Sequence, residues 1–129
     1  MKDSHCGYLT EKMAGPMVSI QRTRDAIMAD KLERYAGDDG AVLIAGREHV
    51  RTDRGAPRYL RARVEAPSTS VAMLEVQPSM TSTSGYASGH PDGVFPFDYV
   101  WFTPRANDRD HCEELRKMFG KKPKPTVET

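Results

Sequence analysis

The sequence is poor in cysteine, in long apolar runs and in charge of one sign, and each shortage argues against a class of protein. Two cysteines among 129 residues are too few for a disulfide-rich secreted scaffold. The longest uninterrupted apolar run covers only residues 41–45, far short of a membrane span or a signal-peptide core. A formal net charge of +1 creates no overall field that would favour nucleic acid or a membrane surface. The length of 129 residues predicts one domain, and without an export signal in the sequence the default expectation is a cytoplasmic location.

Apolar periodicity and its interruption by glycine and proline predict an α/β fold. A helical pattern begins near Pro16 and ends before Gly37. Residues 41–45 predict a strand buried on both faces, and residues 70–76 and 97–103 predict two more. A short helix at 56–63 and a last helix that begins at Asp110 and ends at Gly120 complete the pattern. The expected architecture is a mostly parallel sheet flanked by helices, with a long flap or disordered loop at 77–96 and a frayed tail at 121–129.

The turn after the first predicted strand is the first candidate site. Gly46 lets the chain turn sharply, and His49 follows three residues later. In open α/β sheets, ligands gather beyond the carboxyl ends of the strands, where such a histidine could bind a metal, transfer a proton or contact a cofactor. The structural alternative is a histidine that caps a helix or bonds to a backbone carbonyl, and the spacing does not separate the two.

Two polar residues on the first helix are the second candidate. Gln21 and Asp25 are four residues apart, so they share a face beside the apolar stripe. A carboxylate there needs a partner, since an unpaired buried charge is costly. Arg22 or Arg24 could be that partner, which the spacing favours. Alternatively, Asp25 reaches the pocket of His49 and holds the imidazole or a metal-bound water.

The cysteines and one tyrosine complete the candidates. Two His-Cys dipeptides, at positions 5–6 and 111–112, lack the spacing of a zinc site. A Cys6–Cys112 disulfide needs distances to judge, and buried free thiols are the expected state. Tyr86 lies in the Ser/Gly-rich loop and is a speculative haem-iron ligand.

Several phrases of the sequence together resemble a known family. They are Ser4-His5-Cys6-Gly7, Gln21-x-x-Arg24-Asp25-x-x-Met28-Ala29, Val42-Leu43-Ile44-Ala45-Gly46-x-x-His49-Val50-Arg51, Asp53-x-Gly55-x-Pro57-x-Tyr59-Leu60 and Phe97-Asp98-Tyr99-Val100-Trp101-Phe102-Thr103-Pro104-Arg105, followed by Cys112-Glu113. Over roughly residues 4–119, this order resembles the ChaN-like haem-binding uptake proteins of the Tiki superfamily, a bacterial iron-uptake group. The resemblance implies a parallel α/β sheet with a helical insertion, which supplies the long N-terminal helix, and a pocket for haem or a metal.

The resemblance also implies site residues. Positions that match the family's motifs are His5, Gln21, Asp25 and His49, with His49 and His5 as metal ligands. From their charge, Arg51 and Arg54 could pair with haem propionates; six arginines but only two acidic residues lie between positions 47 and 63. The expected function is haem or iron binding without turnover. The alternatives are a metal-dependent, peptidase-like hydrolase with a divalent ion, and an inactive remnant.

The resemblance carries two departures from the family pattern. The family domain is about twice as long, so residues 1–120 resemble its C-terminal portion, in truncated form. A bare sheet edge then predicts a homodimer or a partner chain that supplies the missing half. Arg47 and Glu48 stand where the family has small or amide residues, and we expect them to pair or to restrict the pocket. Family members are often exported lipoproteins.

Overall fold

The computed structural model describes Cys6, Tyr8, residues 11–65 and residues 67–120. The elements in chain order are α1 (Glu11–Tyr35), a 3-10 turn (Arg47–Val50), α2 (Ala56–Arg61), β1 (Val71–Glu75), α3 (Thr83–Ala87), a second 3-10 turn (Pro91–Gly93), β2 (Tyr99–Thr103) and α4 (His111–Phe119). The chain forms two compact units, a larger one of residues 20–106 and a smaller one of residues 1–19 with 107–129. Helices and a parallel sheet confirm the α/β class and the long N-terminal helix.

The sheet of the larger unit has two parallel strands, β1 and β2. Their register runs from Val71 beside Tyr99 to Glu75 beside Thr103. The buried core on one face consists of Ala72, Leu74 and Phe97, with Val50, Phe95, Val100 and Phe102 packed against it. The segment between the strands, expected to be a flap or disordered, contains α3 and the second 3-10 turn. The core is therefore small and lies on one side of the sheet.

The strand predicted at 41–45 is wrong. This segment pairs with no strand among the residues that the structure describes, and Val42 and Ile44 are 88% and 93% exposed. An apolar run forms a buried strand only where neighbouring strands satisfy its backbone and cover its side chains. Between Gly40 and the 3-10 turn, the backbone lacks those neighbours, so the composition of the run did not decide its structure.

Helix α1 is longer than expected and buries only part of its predicted apolar stripe. It begins at Glu11, so Pro16 lies inside the helix rather than in its first turn. Asp25 and Ala29 are its buried positions, while Ile20, Ile27 and Tyr35 of the predicted apolar stripe are exposed. Residues four apart stack on one helix face, so the buried face is the one that carries Gln21, Asp25 and Ala29. Met28 and Leu32 of the apolar pattern are half-buried beside this face, so α1 buries polar and apolar side chains together.

The smaller unit contains a disulfide between Cys6 and Cys112, with Cα atoms 5.5 Å apart, so the expectation of free thiols is wrong. The two residues are 106 positions apart, which is why the sequence could not pair them. The Tyr8 hydroxyl donates to the Gly120 carbonyl at 2.6 Å, and its ring lies 6.0 Å from that of Phe119. The predicted cap of α4 is confirmed, since Asp110 accepts from two backbone amides at the start of the helix.

No helix in the described part of the chain is long and apolar enough to cross a membrane. His5 and the tail at 121–129 lie outside the described residues.

Candidate functional site

The centre of the candidate site is a hydrogen bond between Asp25 and His49. The His49 Nδ1 atom lies 2.6 Å from Asp25 Oδ1. Asp25 is only 6% exposed and lies in the middle of α1, whereas His49 lies in the Arg47–Val50 turn and is partly buried. The structure therefore brings together the two side chains that the sequence analysis offered as neighbours. The local partners considered for Asp25, Arg22 and Arg24, are both exposed.

This bond determines which nitrogen of His49 is available. An ionised carboxylate only accepts hydrogen bonds, so the Nδ1–H group of His49 donates a hydrogen bond to Asp25 and keeps its proton. Neutral His49 then has its lone pair on Nε2, the arrangement seen where a carboxylate orients a metal-binding imidazole. The buried Asp25 carboxylate gains the partner that its burial requires. The pair can bind a metal through Nε2 or accept a proton there.

The turn that carries His49 is tied to the amino end of the sheet. The Ser70 hydroxyl donates to the Val50 carbonyl, and the Thr52 amide donates to the Pro96 carbonyl at 2.9 Å. Ser70 and Pro96 both precede the strands β1 and β2. The turn therefore lies near the amino ends of β1 and β2 rather than beyond the carboxyl end of a strand, because the segment at 41–45 that was to lead into it is not part of the sheet.

Gly55 lets the backbone fold back onto this turn. A methyl group at Gly55 would lie 2.7 Å from the His49 carbonyl carbon and 2.8 Å from the Arg51 carbonyl oxygen. The φ angle of Gly55 is −81°, so the requirement is for space and not for an unusual backbone conformation. The Gly55 amide donates to the Arg51 carbonyl at 2.9 Å. This close approach holds the position of His49.

Arg51 is buried, with 4% of its surface exposed, and its guanidinium is bound by Asp53. Nε and Nη2 donate to the two carboxylate oxygens at 2.9 and 2.7 Å. This bidentate bond raises the pKa of Arg51 and lowers the pKa of Asp53. Arg51 was expected to face haem propionates, but the structure gives its donor fork to Asp53.

Arg54 forms an ion pair with Glu48 and is half-exposed. Burial would raise the pKa of Glu48, but the hydrogen bond and charge of Arg54, with the charges of Arg51 and Arg47, lower it. Arg47 Nε also lies 3.7 Å from Glu48 Oε1. The expected pairing within the Gly-x-x-His turn is thus present, and Arg54 joins it from outside.

His90 is a site-adjacent residue that the sequence analysis missed. Its Nδ1 lies 3.4 Å from Arg51 Nη1, and its ring lies 5.8 Å from Phe95 and 6.3 Å from Phe97. Burial first, and then the charge of Arg51, lower the pKa of His90. Since a guanidinium can only donate, Nδ1 accepts and the neutral ring carries its proton on Nε2. No sequence signal marks His90, because its partner is 39 positions away.

Gln21 has a buried side-chain oxygen, Oε1, without a hydrogen-bond partner in the structure. It lies one helical turn before Asp25 on the same face of α1. Buried polar atoms are nearly always bonded, and the described residues supply no donor to this one.

Tyr86, by contrast, is occupied: its hydroxyl accepts from the Gln77 amide, and its ring packs edge-on against Phe102. Across Cys6, Tyr8, 11–65 and 67–120, no three His, Cys, Asp or Glu side chains are grouped as a metal cluster.

Residues 1–60 match the family described as haem-binding uptake, Tiki superfamily, ChaN. We call residues 1–60 the ChaN-like segment, because their sequence is similar to that family. The ChaN-like segment includes Gln21, Asp25, His49, Arg51 and Arg54, and hence the whole hydrogen-bonded centre of the site. It covers the N-terminal 60 residues of the chain, whereas the resemblance was expected to run to residue 119. No curated protein and no solved structure matches the chain.

Proposed function

We propose that this chain is a haem-binding protein that holds its ligand at the α1 face and the Arg47–Val50 turn. The observation that carries the proposal is the Asp25–His49 bond, which leaves Nε2 of His49 as a ligand for iron. The ChaN-like match over these residues supports haem as the group.

The residues present fit a haem group. Neutral imidazole is an established axial ligand of haem iron, and Asp25 orients it as outer carboxylates orient metal-binding histidines. The unpaired Gln21 Oε1 can accept a hydrogen bond from a ligand or from its water. Bound haem would supply an iron atom that His49 Nε2 could hold, which suits carriage in iron uptake. His5, by its place in the matched segment, is our candidate for a second ligand.

The two arginines contribute in different ways. Arg54 is half-exposed, so its guanidinium can exchange Glu48 for a propionate carboxylate with little loss of burial. Arg51 is buried and held by Asp53, so we assign it to fixing the turn. Guanidinium groups pair well with carboxylates of either kind.

Titration of the purified protein with haemin tests the proposal. We expect a shifted Soret band at one haem per chain, lost in His49→Ala because the iron ligand is gone. Asp25→Asn keeps the side-chain shape but weakens the support of His49, so we expect about a 10- to 100-fold weaker affinity. His111→Ala, an exposed histidine in α4, is the matched control and should bind normally. Binding that survives His49→Ala in a folded variant would contradict the proposal.

The Asp25–His49 pair also suits a metal-dependent hydrolase, in which His49 holds or deprotonates a water. This alternative predicts stoichiometric divalent metal and a peptidase activity that Asp25→Ala abolishes. If neither haemin nor metal binds at stoichiometric protein, the chain is an inactive remnant. These outcomes differ from one another in the same two assays.

Two broader features complete the proposal. The exposed segment at 41–45 and the small two-stranded sheet support association with a second copy or with a chain that supplies further strands. The Cys6–Cys112 disulfide supports an oxidising compartment, where such bonds persist, over the cytoplasm.

A further inference from the structure

The two-stranded sheet has a second face that is apolar and uncovered. We call it the outer face, and it consists of Val71, Met73, Tyr99 and Trp101. The parallel register places Val71 beside Tyr99 and Met73 beside Trp101, so the four side chains are contiguous. Their exposures are 45%, 69%, 66% and 66% in chain order. On the opposite face, Ala72 and Leu74 belong to the buried core.

An uncovered outer face is unusual for this kind of sheet. Parallel sheets are normally covered on both faces, and exposed apolar patches on single chains rarely exceed a few hundred Å². A fully buried aromatic side chain covers roughly 150–250 Å². With the exposed fractions above, the four side chains present roughly 500 Å² of contiguous apolar surface. This area is at the upper end of what a monomer exposes.

The charge distribution narrows the choice of partner. There is no lysine or arginine between residues 64 and 100, and β2 adds none. Anionic membranes and nucleic acids recruit proteins through basic residues, which the outer face lacks. Glu75 follows Val71 and Met73 on the exposed side of β1, so one acidic residue lies on this face, at the carboxyl end of the strand. The rest of the face is apolar and suits an apolar partner surface, and a second copy stacked with its strands antiparallel offers one while it keeps the two Glu75 side chains at opposite ends.

The area also suits a dimer. Two outer faces stacked together would bury about 1,000 Å², which is the lower limit for a specific interface. Stacked sheets pack about 10 Å apart with interlocking side chains, and a two-fold axis makes one patch sufficient for both partners. We infer that two copies of this chain associate by stacking their outer faces. This inference does not depend on haem binding.

The single tryptophan of the chain makes the test direct, because Trp101 lies in the outer face. Sedimentation equilibrium without haemin should give about twice the 14.4 kDa chain mass at high concentration, and the monomer mass on dilution. Trp101 emission should shift to longer wavelength over the same concentration range, since dilution exposes the ring to water.

Met73→Lys places a charge in the centre of the patch and keeps the reporter. We expect the dimer dissociation constant of this variant to be at least tenfold higher than that of wild type, so that the variant is monomeric and its Trp101 emission is red-shifted at all concentrations tested. Met118→Lys is the matched control, because Met118 is 72% exposed on α4 outside the patch, and it should dimerise normally. Tyr99→Lys provides a second disruption should Met73→Lys lose its circular dichroism signal.

Several outcomes would overturn the inference. These are a monomer at every concentration, a dimer that both patch variants leave intact, or a Trp101 blue shift that occurs only with neutral phospholipid vesicles. Haemin titration of Met73→Lys separates the two proposals. Normal haemin binding by a monomeric Met73→Lys variant would support both the haem-binding proposal and the dimer inference. A wild-type protein that forms dimers but does not bind haemin would contradict only the proposed function.

Discussion

Replacement of Gly55 by alanine is the most direct test of how the chain positions His49. The new methyl group would lie 2.7 Å from the His49 carbonyl carbon, closer still to its oxygen, and 2.8 Å from the Arg51 carbonyl oxygen. All of these atoms belong to the backbone, so no flexible side chain can move aside. The chain must open between Gly55 and the 3-10 turn.

The size of the effect follows from these distances. Ordinary contact begins at 3.4 Å, so the His49 carbonyl carbon has to retreat by at least about 0.7 Å, the difference between 3.4 and 2.7 Å, and the carbonyl oxygen, which lies closer, by more. Overpacking of this kind costs about 1–3 kcal/mol of unfolding free energy. For a chain of this length, we expect the melting temperature to fall by roughly 4–12 °C. The 2.6 Å Asp25–His49 bond should lengthen with the shift, so haemin affinity should fall as well.

Thermal melts by circular dichroism and haemin titration measure both effects. Gly89→Ala is the control, because nothing lies within 4 Å of its new methyl group and its backbone is not in the left-handed region. We expect that variant to melt within a few degrees of wild type and to bind haemin equally well. Identical melting of Gly55→Ala and Gly89→Ala would refute the argument that a close backbone approach holds the turn.

Two further predictions concern redox state and pH. The disulfide closes a loop between residues 106 positions apart. On the loop-entropy model, its reduction should therefore destabilise the chain by about 4–5 kcal/mol. Equal melting temperatures with and without dithiothreitol would contradict this prediction. The pKa of His90 is lowered in the folded chain, so the unfolded chain takes up the proton first and stability should fall as the pH drops below the ordinary value of 6.5. Urea unfolding between pH 8 and 5 should show this loss in wild type and a flatter profile in His90→Gln, whereas parallel profiles would show that protonation of His90 does not cause the loss.

Local signals in the sequence predicted α2, α4 and the two paired strands, but not α3 or the start of α1. The Asp110 cap and Gly120 stop of α4 are formed by residues within one or two turns of one another, and the β1 and β2 segments carry their own strand-forming side chains. The segment at 41–45 carries the same signal but has no neighbouring strand. An apolar segment forms a buried strand only when a neighbouring strand pairs with it, and the residue pattern of the segment itself does not show whether that neighbour exists. The pattern alone therefore gave a wrong prediction for residues 41–45.

The candidate site was predictable in part. Asp25 and His49 were singled out by their positions, yet their contact joins residues 24 positions apart, and the sequence offered nearer partners. The bidentate bond from Arg51 to Asp53 was not predicted, because the charge of Arg51 suggested only that it would pair with a ligand carboxylate. His90 had no signal at all, since burial beside Arg51 and two phenylalanines is created by the fold.

The amino-acid order by itself determined both ends of α4, the positions of β1 and β2 and the similarity of residues 1–60 to the ChaN family, since these depend on neighbours along the chain. The tertiary structure alone decided the Cys6–Cys112 bond, the Asp25–His49 pair and the exposure of the outer face. Those features depend on contacts between segments that are distant in sequence, and the conformational preferences of neighbouring residues do not determine which distant segments meet.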